Sequence, residues 1–134
     1  MKRSRSPKPA RSPLLVLFQR QARDIVAFEV RGHAGFAPAG SDLVCAAVSA
    51  LVLASAEGLK RHCAAHAVVL DSGERYQLTL PEGGGSAAQA VLKTMLTGLR
   101  AVGRAYPGYM RIRQARLLPT GSRERPKKRR SRAV

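Results

Sequence analysis

His33 and Cys45 stand twelve positions apart, in a setting that suits peptide chemistry. The stretch around them reads Gly32-His33-Ala34-Gly35-Phe36-Ala37-Pro38-Ala39-Gly40-Ser41-Asp42-Leu43-Val44-Cys45. The histidine follows an apolar segment of strand type. A Gly-rich loop comes next, and the cysteine falls in the first turn of an expected helix. A helix N-terminus carries unpaired N–H groups and partial positive charge. A thiol placed there ionises more readily, and the thiolate is the nucleophile. An imidazole held nearby takes the thiol proton and later returns it to a leaving amine. Gly35 and Gly40 let backbone N–H groups approach a developing oxyanion without obstruction from a Cβ. Phe36 on the same loop is a candidate substrate contact, with an exposed dimer contact as the equal alternative. Asp42 either hydrogen-bonds the imidazole or caps the helix. From spacing alone a plainer account stands beside this one. Cys45, between Val44 and Ala46, is then a small buried residue and His33 an ordinary loop histidine.

Two further constellations carry less. His62-Cys63-Ala64-Ala65-His66 puts two histidines at i and i+4. The glutamate of a His-Glu-x-x-His zinc site is missing, and no second ligand cluster follows, so no metal and no other cofactor is expected. Gly83-Gly84-Gly85-Ser86 precedes a helical pattern, but no Lys stands where a phosphate loop needs it. A flexible linker is the expectation there. Serine chemistry has no local motif to support it.

The elements that must position these residues are legible in coarse form. Leu14–Phe18 is a continuous apolar run of strand length, and Ile25–Val30 a second, with a short polar connection between them. Asp42 to about His62 reads as a helix rich in Ala, Leu and Val, with Ser41 or Asp42 as its N-cap. Val68–Leu70 and Tyr76–Leu80 flank Asp71-Ser72-Gly73-Glu74, a tight-turn composition. Ser86 and Gln89 have capping-box spacing before a second helix, which runs to about Tyr106 and is stopped by Pro107-Gly108. Tyr109–Leu117 alternates as a final strand. The predicted class is α+β in the order β-β-α-β-β-α-β, a mostly antiparallel sheet with two helices packed on one face.

The chain has 134 residues, and its 24 Lys and Arg against 8 Asp and Glu give a net charge of +16. That charge is concentrated at the ends. Residues 1–13 carry a net +5 and residues 119–134 a net +6, both in Pro-, Ser- and Arg-rich sequence. These segments read as disordered basic tails flanking a single domain over residues 14–118. A weak contact with RNA through them is one expectation, and solvated ends are the other. The apolar runs Leu14–Phe18 and Ala46–Ala56 read as too short or too polar to span a bilayer, so no membrane partner is expected. The basic, Pro-rich start does not resemble a secretory signal. Two cysteines make no disulfide framework, and a reduced, cytoplasmic protein is the default.

Gly32-His33-Ala34, followed by Gly40-Ser41-Asp42-Leu43-Val44-Cys45-Ala46-Ala47-Val48-Ser49, resembles the signature of the ribosomal-processing cysteine protease family, Prp. The family pattern is Gly-His-Ala, a short Gly-containing loop, then Gly-x-Asp-x-Val-Cys-Ala with a serine four residues on. Both blocks fit with compatible spacing, and the order of elements agrees over about residues 14–117. The resemblance implies a homodimeric cysteine endopeptidase that removes the N-terminal extension of large-subunit ribosomal protein twenty-seven. It implies Cys45 as nucleophile and His33 as general base and acid, with Asp42 and Ser49 as supporting positions. The basic tails depart from the family outline and inherit no role from it. The rival reading is a non-catalytic basic ribosome- or RNA-binding protein in which Cys45 belongs to the core.

Overall fold

The computed structural model describes residues 13–32, 37, 42–63 and 65–117. Seven elements follow in order: β1 (Leu14–Gln21), β2 (Asp24–Arg31), α1 (Leu43–His62), β3 (Val68–Asp71), β4 (Arg75–Thr79), α2 (Gly85–Ala105) and β5 (Met110–Arg116). The α+β order expected from the sequence is the order found. Of the proposed tails, residues 1–12 and 119–134 lie outside the described residues, as does residue 118 at the end of the proposed domain.

The sheet runs β3-β4-β2-β1-β5. Its β1–β2, β2–β4 and β3–β4 pairs are antiparallel, and β1–β5 is parallel. Mostly antiparallel therefore holds, with one parallel edge that no local pattern announced. Leu14, Val16 and Phe18 alternate onto the helix-bearing face of β1 and are buried. Phe18 lies opposite Phe28 on β2, and Phe28 opposite Leu78 on β4, so one apolar row crosses three strands. The Phe18 and Phe28 rings are 6.0 Å apart, and Phe28 stacks on Tyr76 at 6.1 Å. Leu15 and Leu17 point to the other face and are only half-buried. That is why β1 reads as an unbroken apolar run.

Both helices close the core against that row. α1 contributes Val44, Val48, Val52, Ala56 and Leu59, and α2 contributes Ala88, Leu92, Met95, Leu96 and Leu99. The helices can approach because Gly98 stands where they meet. A Cβ on Gly98 would lie 3.1 Å from Leu51 Cδ2.

Four details differ from the sequence reading. First, β1 and β2 extend to a two-residue turn, Ala22-Arg23, with Ala22 at a left-handed φ of 56°. Polar residues continue a ladder as long as their backbones pair. Second, the Ser86/Gln89 capping box does not form. Gly84 is the N-cap of α2, with no side-chain cap bond. Gln89 is buried, and its side chain bonds β2 instead. Its Oε1 accepts from Ile25 N–H at 2.8 Å, and its Nε2 donates to the Ile25 and Gly83 carbonyls at 2.9 and 2.7 Å. A buried amide is worth more satisfying backbone groups of a neighbouring strand than capping its own helix.

Third, Gly83-Gly84-Gly85 is a defined left-handed turn rather than a loose linker, with φ of +76°, +71° and +88°. At Gly84 a Cβ would lie 2.7 Å from Ala88 Cβ and 2.9 Å from Leu80 Cδ2. Fourth, α1 has the bounds expected of it, but its apolar stretch is longer than the run Ala46–Ala56 on which the membrane expectation rests. An 18-residue stretch of it has a mean hydropathy of 1.7, and the helix is long and apolar enough, by length and composition, to cross a membrane. Here one face of α1 is core, and β2, β4 and α2 supply the apolar neighbours a bilayer would otherwise provide.

Candidate active site

α1 begins at a single well-formed cap. Asp42 sits in extended conformation, φ −81° and ψ 107°, and its Oδ1 accepts the Cys45 N–H at 3.0 Å. The Asp42 carbonyl accepts the Ala46 N–H, also at 3.0 Å. Of the two roles open to Asp42, capping is the one that involves described residues, and His33, the partner in the other, lies outside them. The cap fixes the backbone of Cys45, the third residue of the helix, against the first turn.

Cys45 is half-buried and packs against the core. It also lines an open cleft of about 650 Å³. One side of that cleft is apolar and is built by Leu14, Val30, Val48, Val52 and Tyr76. Asp42, Ser49 and the β3–β4 turn, with Asp71, Glu74 and Arg75, supply its polar side. Ser49 lies one turn beyond Cys45 on the exposed side of α1. The structure thus brings Cys45, Asp42 and Ser49 to one cleft wall. His33, Gly35, Phe36 and Gly40 lie outside the described residues. Their described neighbours Gly32 and Ala37 both line the cleft.

The sequence reading missed the opposite wall. Tyr76 lies on β4 opposite Val30, and Asp71 on β3 opposite Tyr76. Partial burial, and then the negative charge of Asp71 and Glu57, push the Tyr76 phenol above its ordinary value. Arg75 is directly opposite Arg31, a like-charge pair that costs energy unless a carboxylate intervenes. Glu29 provides it, with its Oε2 3.0 Å from Arg75 Nε and 3.6 Å from Arg31 Nε. Gly32, at the end of β2, donates its N–H to the Glu74 carbonyl at 3.4 Å, which ties the start of the 33–41 segment to the β3–β4 turn. Strand alternation carried the signal for Tyr76, but only the pairing of β4 with β2 shows that it meets the cysteine's cleft.

Cys63, the second cysteine, is the C-cap of α1 and packs half-buried against the core. Among the described residues, no three His, Cys, Asp or Glu side chains converge as metal ligands.

A site of this kind holds a thiol at a helix start, beside an apolar hollow large enough for one or two side chains of an extended peptide. Comparison with known proteins places the chain in a family. The chain is 30% identical over 105 residues to the ribosomal processing cysteine protease Prp of Bacillus subtilis, covering 67% of this chain and 86% of that one. Its fold matches the crystal structure of Prp from S. aureus with a covalently linked product peptide. The TM-score is 0.71 at 22% identity, over 75% of this chain and 98% of that one. A Streptococcus mutans protein matches with a TM-score of 0.69 at 21% identity, over 79% and 97%. The sequence profile described as cysteine protease Prp matches residues 15–111, and the chain belongs to that family.

Proposed function

We propose that this chain is a cysteine endopeptidase in which Cys45 is the nucleophile and His33 the general base and acid. The observation that carries the reading is the position of Cys45, half-buried at the capped start of α1 and opening into the largely apolar cleft. His33 follows Gly32 in the chain, and Gly32 lines the same cleft. The Cys45 Sγ passes its proton to the imidazole and attacks the scissile carbonyl, forming a C–S bond and a tetrahedral oxyanion. The imidazolium protonates the amine nitrogen, the C–N bond breaks, and water then hydrolyses the thioester to free acid and thiol. Because the Cys45 N–H is engaged by Asp42 Oδ1, the oxyanion falls to other donors. Backbone N–H groups of the Gly35–Gly40 segment are assigned that role, with Phe36 beside the substrate. Ser49 is assigned to the cleft wall that the peptide passes.

The proposed substrate is large-subunit ribosomal protein twenty-seven, from which the enzyme removes an N-terminal extension. The family supports this through its relative named for ribosomal processing, and S. aureus Prp has been crystallised with a substrate peptide. A homodimer, a cytoplasmic location and a weak ribosomal RNA contact through residues 1–13 and 119–134 complete the proposal. The test is mass spectrometry of that ribosomal protein after incubation with wild-type and Cys45→Ala chains. Loss of a short N-terminal peptide with the wild type alone is expected. An intact substrate with the wild type, or equal cleavage by both, overturns the reading.

A further inference from the structure

From Gly83 to Leu117 the chain contains no acidic residue, yet it carries Lys93, Arg100, Arg104, Arg111, Arg113 and Arg116. All six are exposed. At 100° per residue, Lys93, Arg100 and Arg104 fall within about 40° of arc on α2 and form one stripe. The stripe borders β5, the outer strand of the sheet. Gly103 approaches Met110 at the start of β5, and Lys93 shares a hollow with Arg116 at its end. That hollow has a volume of about 530 Å³ and is lined by Arg20, Arg23, Lys93 and Arg116, with Gln114 and no acid. Arg20 Nε donates to Gln114 Oε1 and Arg20 Nη1 to the Arg23 carbonyl, so the floor of the hollow is held in place. Among the described residues, the ion pairs gather on Glu29 and Glu57, and none involves this edge.

We propose that the α2–β5 edge, centred on this hollow, is a docking surface for the phosphate backbone of RNA. Five of the six cations are arginines, whose planar guanidinium groups bind phosphate oxygens in pairs. Leu117 N–H donates to the Arg20 carbonyl, which pins the end of β5 beside the hollow. A membrane surface is disfavoured because charge alone holds a protein there weakly, and the apolar face that strengthens such binding is not at this edge. The strongly exposed apolar residues, Leu43, Leu53, Val68 and Leu70, lie on α1 and β3, and only Leu117 borders the edge. The hollow and the Cys45 cleft occupy opposite ends of the β1–β2 hairpin, separated by about 20 Å over six residues of strand. RNA held at one end leaves the other open to a peptide.

The test is fluorescence anisotropy of the full chain with a labelled 20-nucleotide single-stranded RNA between 50 and 200 mM KCl, about the range over which phosphate contacts dominate. Arg23→Gln/Arg116→Gln, both lining the hollow, should weaken binding roughly tenfold at low salt and reduce the log–log salt slope by about 1.4, two phosphate contacts. Lys93→Gln/Arg100→Gln, on exposed α2 positions, should do the same and guards against a folding defect in β5. Lys60→Gln/Arg61→Gln removes equal charge elsewhere and should change affinity less than about twofold. Equal losses in all three pairs would show diffuse charge only and overturn the proposal. So would edge variants that lose binding to phosphatidylglycerol vesicles while RNA binding is unchanged. Peptide cleavage by Cys45 should be the same in every variant, so this proposal and the peptidase reading fail independently.

Discussion

Each half of the molecule runs strand, strand, helix, yet the two helix starts do different work. At α1 the cap is a side chain, Asp42, and the first turn carries a cysteine that opens into a cleft. At α2 the cap is Gly84, the turn is wound left-handed, and Gln89 reaches across to hold both backbone groups of Ile25. One start is open and chemically equipped, while the other is closed and mechanical. The lesson is that a repeated topology presents the same positive helix end twice. Neighbouring residues then decide whether it becomes a site or a brace.

The largest expected effect tests the open start. Cys45→Ala should lower peptide cleavage by at least about 10³-fold while the circular dichroism spectrum and thermal midpoint stay near wild type. Retained cleavage would move the chemistry to another residue and erase the contrast. At the closed start, Gln89→Ala leaves the Ile25 N–H and carbonyl buried without partners and should cost about 2–4 kcal/mol in urea unfolding. A loss below about 0.5 kcal/mol would mean that water replaces the amide and that no brace exists. Gly84→Ala should destabilise by about 1–3 kcal/mol, since it combines a left-handed φ with contacts under 3 Å. Asp42→Ala should cost about 1 kcal/mol through the lost cap and slow cleavage by loosening Cys45, whereas Asp42→Asn keeps an Oδ1 acceptor and most of both. The smallest effect concerns the cleft wall. The Tyr76 phenol is raised in the folded state, so its contribution to stability is full below the unfolded value of about 10 and declines as pH rises through the folded value. Tyr76→Phe should flatten that alkaline decline, read by denaturant titration above pH 9.

Much of this was legible before any coordinates. The strands at Leu14 and Ile25 announced themselves as apolar or β-branched runs of strand length, and Tyr76–Leu80 and the two helical stripes by period-two and period-3.6 patterns that follow from which side faces the core. The 33–45 block announced the candidate site because a His, a glycine loop and a helix-start Cys each need their residue type. Three things were hidden. The parallel β1–β5 pair depends on strands far apart in sequence, and no local pattern encodes a partner. Gln89 looked like a cap because spacing records its distance along the helix and not its reach to β2. The Tyr76–Asp71–Arg75 wall became part of the cleft only through the order β3-β4-β2. The acid-free stretch from Gly83 to Leu117 is visible in the sequence, but only the fold brings its α2 and β5 cations to one edge.

The parallel pairing of the first strand with the last has a kinetic consequence. Leu14 aligns with Met110, so β1 gains its second neighbour only when nearly the whole domain has been synthesised. Until then one side of β1 is an unmated ladder of N–H and carbonyl groups, a template for association with other nascent chains. Closing so distant a contact is slow. Newly made enzyme should therefore become competent only after β5 has left the ribosome, and a nonsense codon before Met110 should yield aggregates rather than a smaller active protein.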